Sequence, residues 1–217
     1  LHNVNLGVNV TGGNTSTISN SIADNSGGTG GVASTFTKTG GGTLNLQGAN
    51  TYMGATTLDE GVLNLTGSVA GGAVQNNGQF NLSAAGQIGG NAELNTGQFN
   101  AAGNIGGNVV QNNGEFNLMG TGSVTGNAEL NTGQFNAAGN LGGNGAQNNG
   151  EFNLTPTGSV TGNVELNTGQ FNAEGNIGGN VVQNNGEFNL EAGGTIAGDA
   201  NVNFGHLKVN GTVGGTT

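Results

Sequence analysis

Large apolar residues recur along this chain at a fixed beat. Leu44, Leu63, Phe80, Phe99, Phe116, Phe135, Phe152, Phe171, Phe188 and Leu207 are separated alternately by 19 and 17 residues. A Gly stands two positions before each of them, and Asn follows nine of the ten, with Lys208 after the last. Within one unit, residues 80–98, Phe80 and Leu82 alternate around Asn81, Ile88 runs into Gly89-Gly90-Asn91, and Ala92 and Leu94 alternate around Glu93. Period-2 alternation bounded by Gly and Asn predicts three short strands per unit. No segment carries the 3.6-residue apolar spacing of a helix, and Gly at this density penalises one. A unit this short cannot bury its apolar face alone, so neighbouring units must stack. The expected fold is all-β: a parallel β-helix (β-solenoid) of about ten regular 17/19-residue coils over residues 44–217, preceded by irregular N-terminal coils over residues 1–43.

Stacked coils place equivalent residues about 4.8 Å apart, so each row of the sequence becomes a ladder. Beside the ten anchors, a second inward row reads Tyr52, Val69, Ile88, Ile105, Val124, Leu141, Val160, Ile177, Ile196 and Val213. In a third, Leu94, Leu130, Leu166 and Val202 alternate with Gln75, Gln111, Gln147 and Gln183. An inward Gln must find turn backbone or another amide, because an unpaired buried amide costs a few kcal/mol; an outward one implies a shifted register. Asn recurs four residues before the anchors from Asn76 to Asn203, where it can serve turn backbone and its neighbours along the stack. The position just before the anchor reads Gln79, Gln98, Glu115, Gln134, Glu151, Gln170, Glu187, and Glu93, Glu129 and Glu165 form a second spaced row. Like charges thereby stay two coils apart, close to a Debye length at physiological salt. A solvated acidic face is the plain reading, with weak cation binding as its rival. Asn136, on the outward side of Phe135, is expected to tolerate Ser at little cost.

Composition narrows the chemistry. The 217 residues include 48 Gly, no Cys, no Trp and a formal charge of −10 with Lys38 and Lys208 as the cations, a balance that repels nucleic acid and anionic lipid. No apolar stretch approaches the length of a membrane span. The chain opens on Leu1 without a charged-then-apolar leader, as mature or excised material would. His2 and His206 are the available neutral-pH bases and lie at opposite ends of the sequence. Neither a nucleophilic thiol nor a His/Cys metal cluster can be assembled, and Gly27-Gly28-Thr29-Gly30-Gly31 lacks the Asp of a calcium nonapeptide. A polysaccharide-cleaving β-helix would need clustered acids with a basic partner, so no enzyme, cofactor or metal is expected.

Residues 38–65, KTGGGTLNLQGANTYMGATTLDEGVLNL, resemble the passenger-associated repeat of bacterial autotransporters in their Lys-Thr-Gly opening, Gly-Thr-Leu strand, Asn-Thr-Tyr, paired Thr and closing Gly-x-Leu. The preceding Ile18-Ser19-Asn20-Ser21-Ile22 is similar to the segment that leads into such repeats. The resemblance implies a right-handed parallel β-helix exported across a Gram-negative envelope to the cell surface or beyond, serving adhesion, aggregation or display. The mean coil of 18 residues on its own suits either hand. Two functions follow as expectations: a structural solenoid for adhesion or biofilm matrix, meeting a host or bacterial surface receptor, and a passive display stalk. Solenoid ends are open strand edges. Val4-Asn5-Leu6-Gly7 resembles Val202-Asn203-Phe204-Gly205, so Val4, Leu6, Val8 and Val10 are expected to meet the Leu207, Val209 and Val213 end of another copy, building a head-to-tail filament.

Overall fold

The computed structural model describes residues 4–24 and 33–217; His2 and the Gly27–Gly31 stretch lie outside these. The described residues form three parallel sheets and contain no helix. The first has eleven strands, beginning with Asn5–Asn9 and Thr35–Thr39 and ending with Ala200–Val202. The second, also of eleven, runs from Thr15–Ile18 to His206–Val209, and the third, of ten, from Ala49–Asn50 to Thr212–Val213. Each strand pairs with its equivalent one coil away, so the chain is a β-solenoid with three flat sides. The strand Thr43–Leu46 pairs with Thr15–Ile18 on one edge and with Val62–Leu65 on the other, which makes the stack continuous across residue 43.

The anchors fall in one inward row of the second sheet. Phe80 pairs with Phe99, Phe99 with Phe116, and so on to Phe188 opposite Leu207. From Phe80 to Phe188 the rings stack with centroids 4.5–5.1 Å apart, which is the coil spacing itself, and all seven are 0–1% exposed. Offset stacking therefore adds to area burial at every rung.

The 19/17 alternation has a local cause. From Phe80 onward, the extra two residues of the longer coils sit at the corner between the second and third sheets: Leu82 and Ile88 are six positions apart, Ala101 and Ile105 four. The wider corner closes with a turn, Gly86 N–H donating to Ser83 O at 2.9 Å, repeated at Gly122, Gly158 and Gly194. Larger Leu82, Leu118, Leu154 and Leu190 fill the space beneath it, whereas the narrow coils carry Ala101, Ala137 and Ala173. Side-chain volume and corner length thus compensate, as close packing requires.

One row differs from the sequence reading, and another is decided between its two alternatives. In the third sheet Asn50, not Tyr52, pairs with Val69. The Asn50 amide is 1% exposed and fully used, donating to Gly48 O and Ser68 O and accepting from Ile22 N–H. Tyr52 is buried elsewhere, its ring 6.2 Å from Phe36 and its hydroxyl 2.6 Å from Thr56 Oγ1, and burial pushes its pKa up to about 12. The Gln row does point inward. Gln75 Nε2 donates to Gly78 O at 2.7 Å and Gln98 O at 3.0 Å, and Gln111, Gln147 and Gln183 repeat the pattern. Their Oε1 atoms have no partner among the described residues.

Candidate interaction surface

With the interior filled by side chains, chemistry is confined to the three sides and their corners. At the corner between the first and second sheets, Asn76, Asn95, Asn112, Asn131, Asn148, Asn167, Asn184 and Asn203 hydrogen-bond in series, each Nδ2 donating to the Oδ1 of the coil before at 2.7–3.0 Å. Beside them Thr96, Thr132 and Thr168 clamp successive coils by donating to Asn76 O, Asn112 O and Asn148 O. The outward Asn residues after the anchors make a second unbroken series from Asn45 to Asn189. Asn136 is therefore a ladder member rather than a free surface position, because its amide is bonded on both sides.

A third amide series was not legible in the sequence. The Oδ1 of Asn91 accepts the backbone N–H of Asn108, and the pattern repeats through Asn127, Asn144, Asn163, Asn180 and Asp199 to Thr216. The backbone N–H groups of Ser34 and Met53 hold the Asp24 carboxyl below its ordinary value against an opposing desolvation, and Thr216 does the same for Asp199.

The carboxylates of both Glu rows rest on amides. Gln98 donates to Glu115 at 3.1 Å and Gln134 to Glu151 at 3.4 Å; Asn112, Asn148 and Asn184 donate to Glu93, Glu129 and Glu165 at 3.0–3.2 Å. No cluster of three or more metal-ligating side chains exists among the described residues. The first-sheet register alternates Glu93, Val110, Glu129, Ala146 and Glu165, so carboxylates of this row never stand on adjacent coils. At the corner between the second and third sheets, a shallow groove of about 510 Å³ lies beside Asn153, Thr155, Asn172, Glu174 and Glu191. Another of about 320 Å³ lies beside Asn64, Asn81, Ala102 and Met119. Lys208 pairs with Glu191 at 3.1 Å, and its donation lowers the Glu191 pKa.

The two cations are unlike each other. Lys38 is completely buried, in the inward row that Gln75 occupies farther along, and its Nζ donates to Thr39 O, Gly40 O and Glu60 O. Burial pushes its pKa down, with Glu60 opposing. Alternation with Thr puts Lys38 on the face of the buried Phe36, but its charge reads as exterior.

The end positions are incompletely covered. Val4 is 50%, Leu6 37% and Val209 42% exposed, Val8, Leu207 and Val213 are partly buried against the core, and Val10 is buried. Following the register pair by pair from Val8 to Lys38, Leu58, Gln75 and onward to Gln183 and Val202 makes Val8, not Val4, the counterpart of Val202. Leu6 correspondingly answers Ala200.

Residues 36–65, about one and a half coils that include Lys38 and Tyr52, match the family described as Passenger-associated-transport-repeat. The chain is similar to an autotransporter passenger. A second likeness is to the adhesin BmaC autotransporter of Brucella suis biovar 1 (strain 1330), 49% identical over 61 residues. That match covers 28% of this chain and 2% of the adhesin, so the chain spans a small fraction of the length of this relative. No solved structure matches.

Proposed function

We propose that this chain is a rigid structural rod within an adhesin-type passenger at a Gram-negative cell surface, holding binding groups away from the membrane. The observation that carries the reading is the unbroken Asn45-to-Asn189 amide series beside an unbroken aromatic stack, which cross-link each coil to the next on the outside and on the inside. Residues 124–159 and 160–195 are identical at 27 of 36 positions, so a whole two-coil unit can be removed with Ser123 meeting Val160 in register. Deleting 124–159 should leave a folded rod shortened by about 10 Å, read by small-angle scattering; collapse or an unchanged length would overturn the rod. Attachment of the isolated chain to host cells would instead move adhesion onto the rod's own surface.

A second reading, end-to-end stacking of copies, is favoured by the terminal places of Asn5–Asn9 and Ala200–Val202 in the first sheet among the described residues, which share one register; of the latter strand, Ala200 N–H is already taken by Thr216 O. Residues 5–9 already pair with Thr35–Thr39, so removing them would only expose the next edge. Leu6→Lys is the sharper variant: it should abolish concentration-dependent polymers in sedimentation, and an unsubstituted chain that stays monomeric would exclude stacking.

A further inference from the structure

Six Asn-Gly dipeptides occur in the chain, at 77–78, 113–114, 144–145, 149–150, 185–186 and 210–211. With no Cβ on Gly, little shields its nitrogen from the side-chain amide carbon of the preceding Asn. We propose that Asn77, Asn113, Asn149 and Asn185 are sites of spontaneous deamidation on the folded rod, while the ladder protects Asn144. These four recur every 36 residues at the corner between the first and second sheets, and all four side chains are exposed.

The local geometry favours the reaction. Asn77 Oδ1 accepts the N–H of Gly78 at 2.8 Å, and Asn185 accepts that of Gly186 at 2.8 Å, which holds each side-chain carbonyl against the nitrogen that must attack it. Among the described residues, none of the nitrogens of Gly78, Gly114, Gly150 and Gly186 donates to a carbonyl of the coil before. Gly is imposed here by the fold rather than chosen: φ is 89–92° at the four positions, and a Cβ would run into the glycine carbonyl of the preceding coil.

Asn144 has the same dipeptide in the opposite situation. Its Oδ1 accepts from Asn163 N–H at 2.8 Å, and Gly145 N–H donates to Asn163 O at 2.9 Å, so both reacting groups are committed to the next coil. Asn210, on the outermost coil, donates to Glu191 and is not part of the proposal.

The chemistry needs only solvent. Hydroxide removes the Gly N–H proton, the nitrogen attacks Cγ, and a new C–N bond closes a succinimide. The bond from Cγ to Nδ2 breaks and ammonia departs with a proton from water. A second water opens the ring at either carbonyl, leaving aspartate or isoaspartate. At Asn113, Asn149 and Asn185 the new carboxylate arises two residues from Glu115, Glu151 and Glu187. The intervening coils carry Thr96, Thr132 and Thr168 at this position and have no amide to lose.

The test is to incubate the whole folded chain at mildly alkaline pH beside a sample in denaturant, then map peptides by mass spectrometry with isoaspartate detection. The four corner sites should convert in the folded sample, with Asn144 slowed about tenfold or more relative to the denatured one. Equal rates at Asn144 and the corner sites in the folded chain would overturn the proposal, as would corner sites that stay intact. Asn113→Thr copies the residue used at 96, 132 and 168; it should abolish conversion at 113 alone, and a loss at 149 and 185 as well would refute a reaction set by each turn.

Discussion

Lys38 puts an ammonium where the coils beyond it place Gln75, Gln111, Gln147 and Gln183, and all five side chains perform one task, donating hydrogen bonds to carbonyls at the corner between the first two sheets. The row requires a donor or a hydrocarbon, and charge is incidental to it. Lys38→Gln should therefore fold normally, whereas Lys38→Met should lose about 1–3 kcal/mol by withdrawing the donor from three interior carbonyls; urea titration of the two variants distinguishes them. The same residue gives a pH signature. Its pKa in the folded chain lies below the ordinary 10.5, so between those two values the unfolded chain binds more protons. Stability should rise with pH through that window. The Gln variant should lack the rise, and an identical alkaline profile in both would show that Lys38 keeps its proton throughout.

At the scale of the strand, inside and outside are less different in energy than alternation suggests. Phe135→Ala removes one ring from the stack and should cost ~3–5 kcal/mol. Asn136→Ser breaks the bonds to Asn117 and Asn153, so a loss of about 1–2 kcal/mol is expected instead of none; a thermal shift indistinguishable from zero would mean the outer ladder contributes no stability. Why the sequence revealed one face and not the other is a matter of period. Inward apolar residues announce themselves through alternation, and Phe80 to Leu207 could be placed in one row without a structure. An Asn looks alike whether it bonds a neighbouring side chain, as Asn95 does, or accepts a neighbouring backbone N–H, as Asn127 does from Asn144. Tyr52 was misplaced because its coil reaches the third sheet with Asn50, a polar residue that satisfies its own burial through three hydrogen bonds. Apolarity was a poor guide there, and equally for Lys38.

The whole molecule is close to one-dimensional: each coil depends on the two beside it, and outward chemistry repeats along a line. Such a rod offers a partner many copies of one weak contact, so engagement scales with length through multivalency. Its acidic groups lie mainly on the first two sides and the corners that flank the second, while the third sheet presents Gln87, Asn104, Ser123, Asn140, Ser159 and Asn176, all uncharged. Two such rods with like charge approach each other most easily along that side. The corner that holds two extra residues in every other coil has one more implication: the stretch from Phe80 onward has parity. Duplicating two coils leaves each Leu82-type corner above an Ala101-type one and each Gln above a Leu, whereas duplicating a single coil would set wide corner on wide corner and Gln on Gln. The length of this rod can therefore change by even numbers of coils at almost no structural cost, and by odd numbers only with a packing fault at the seam.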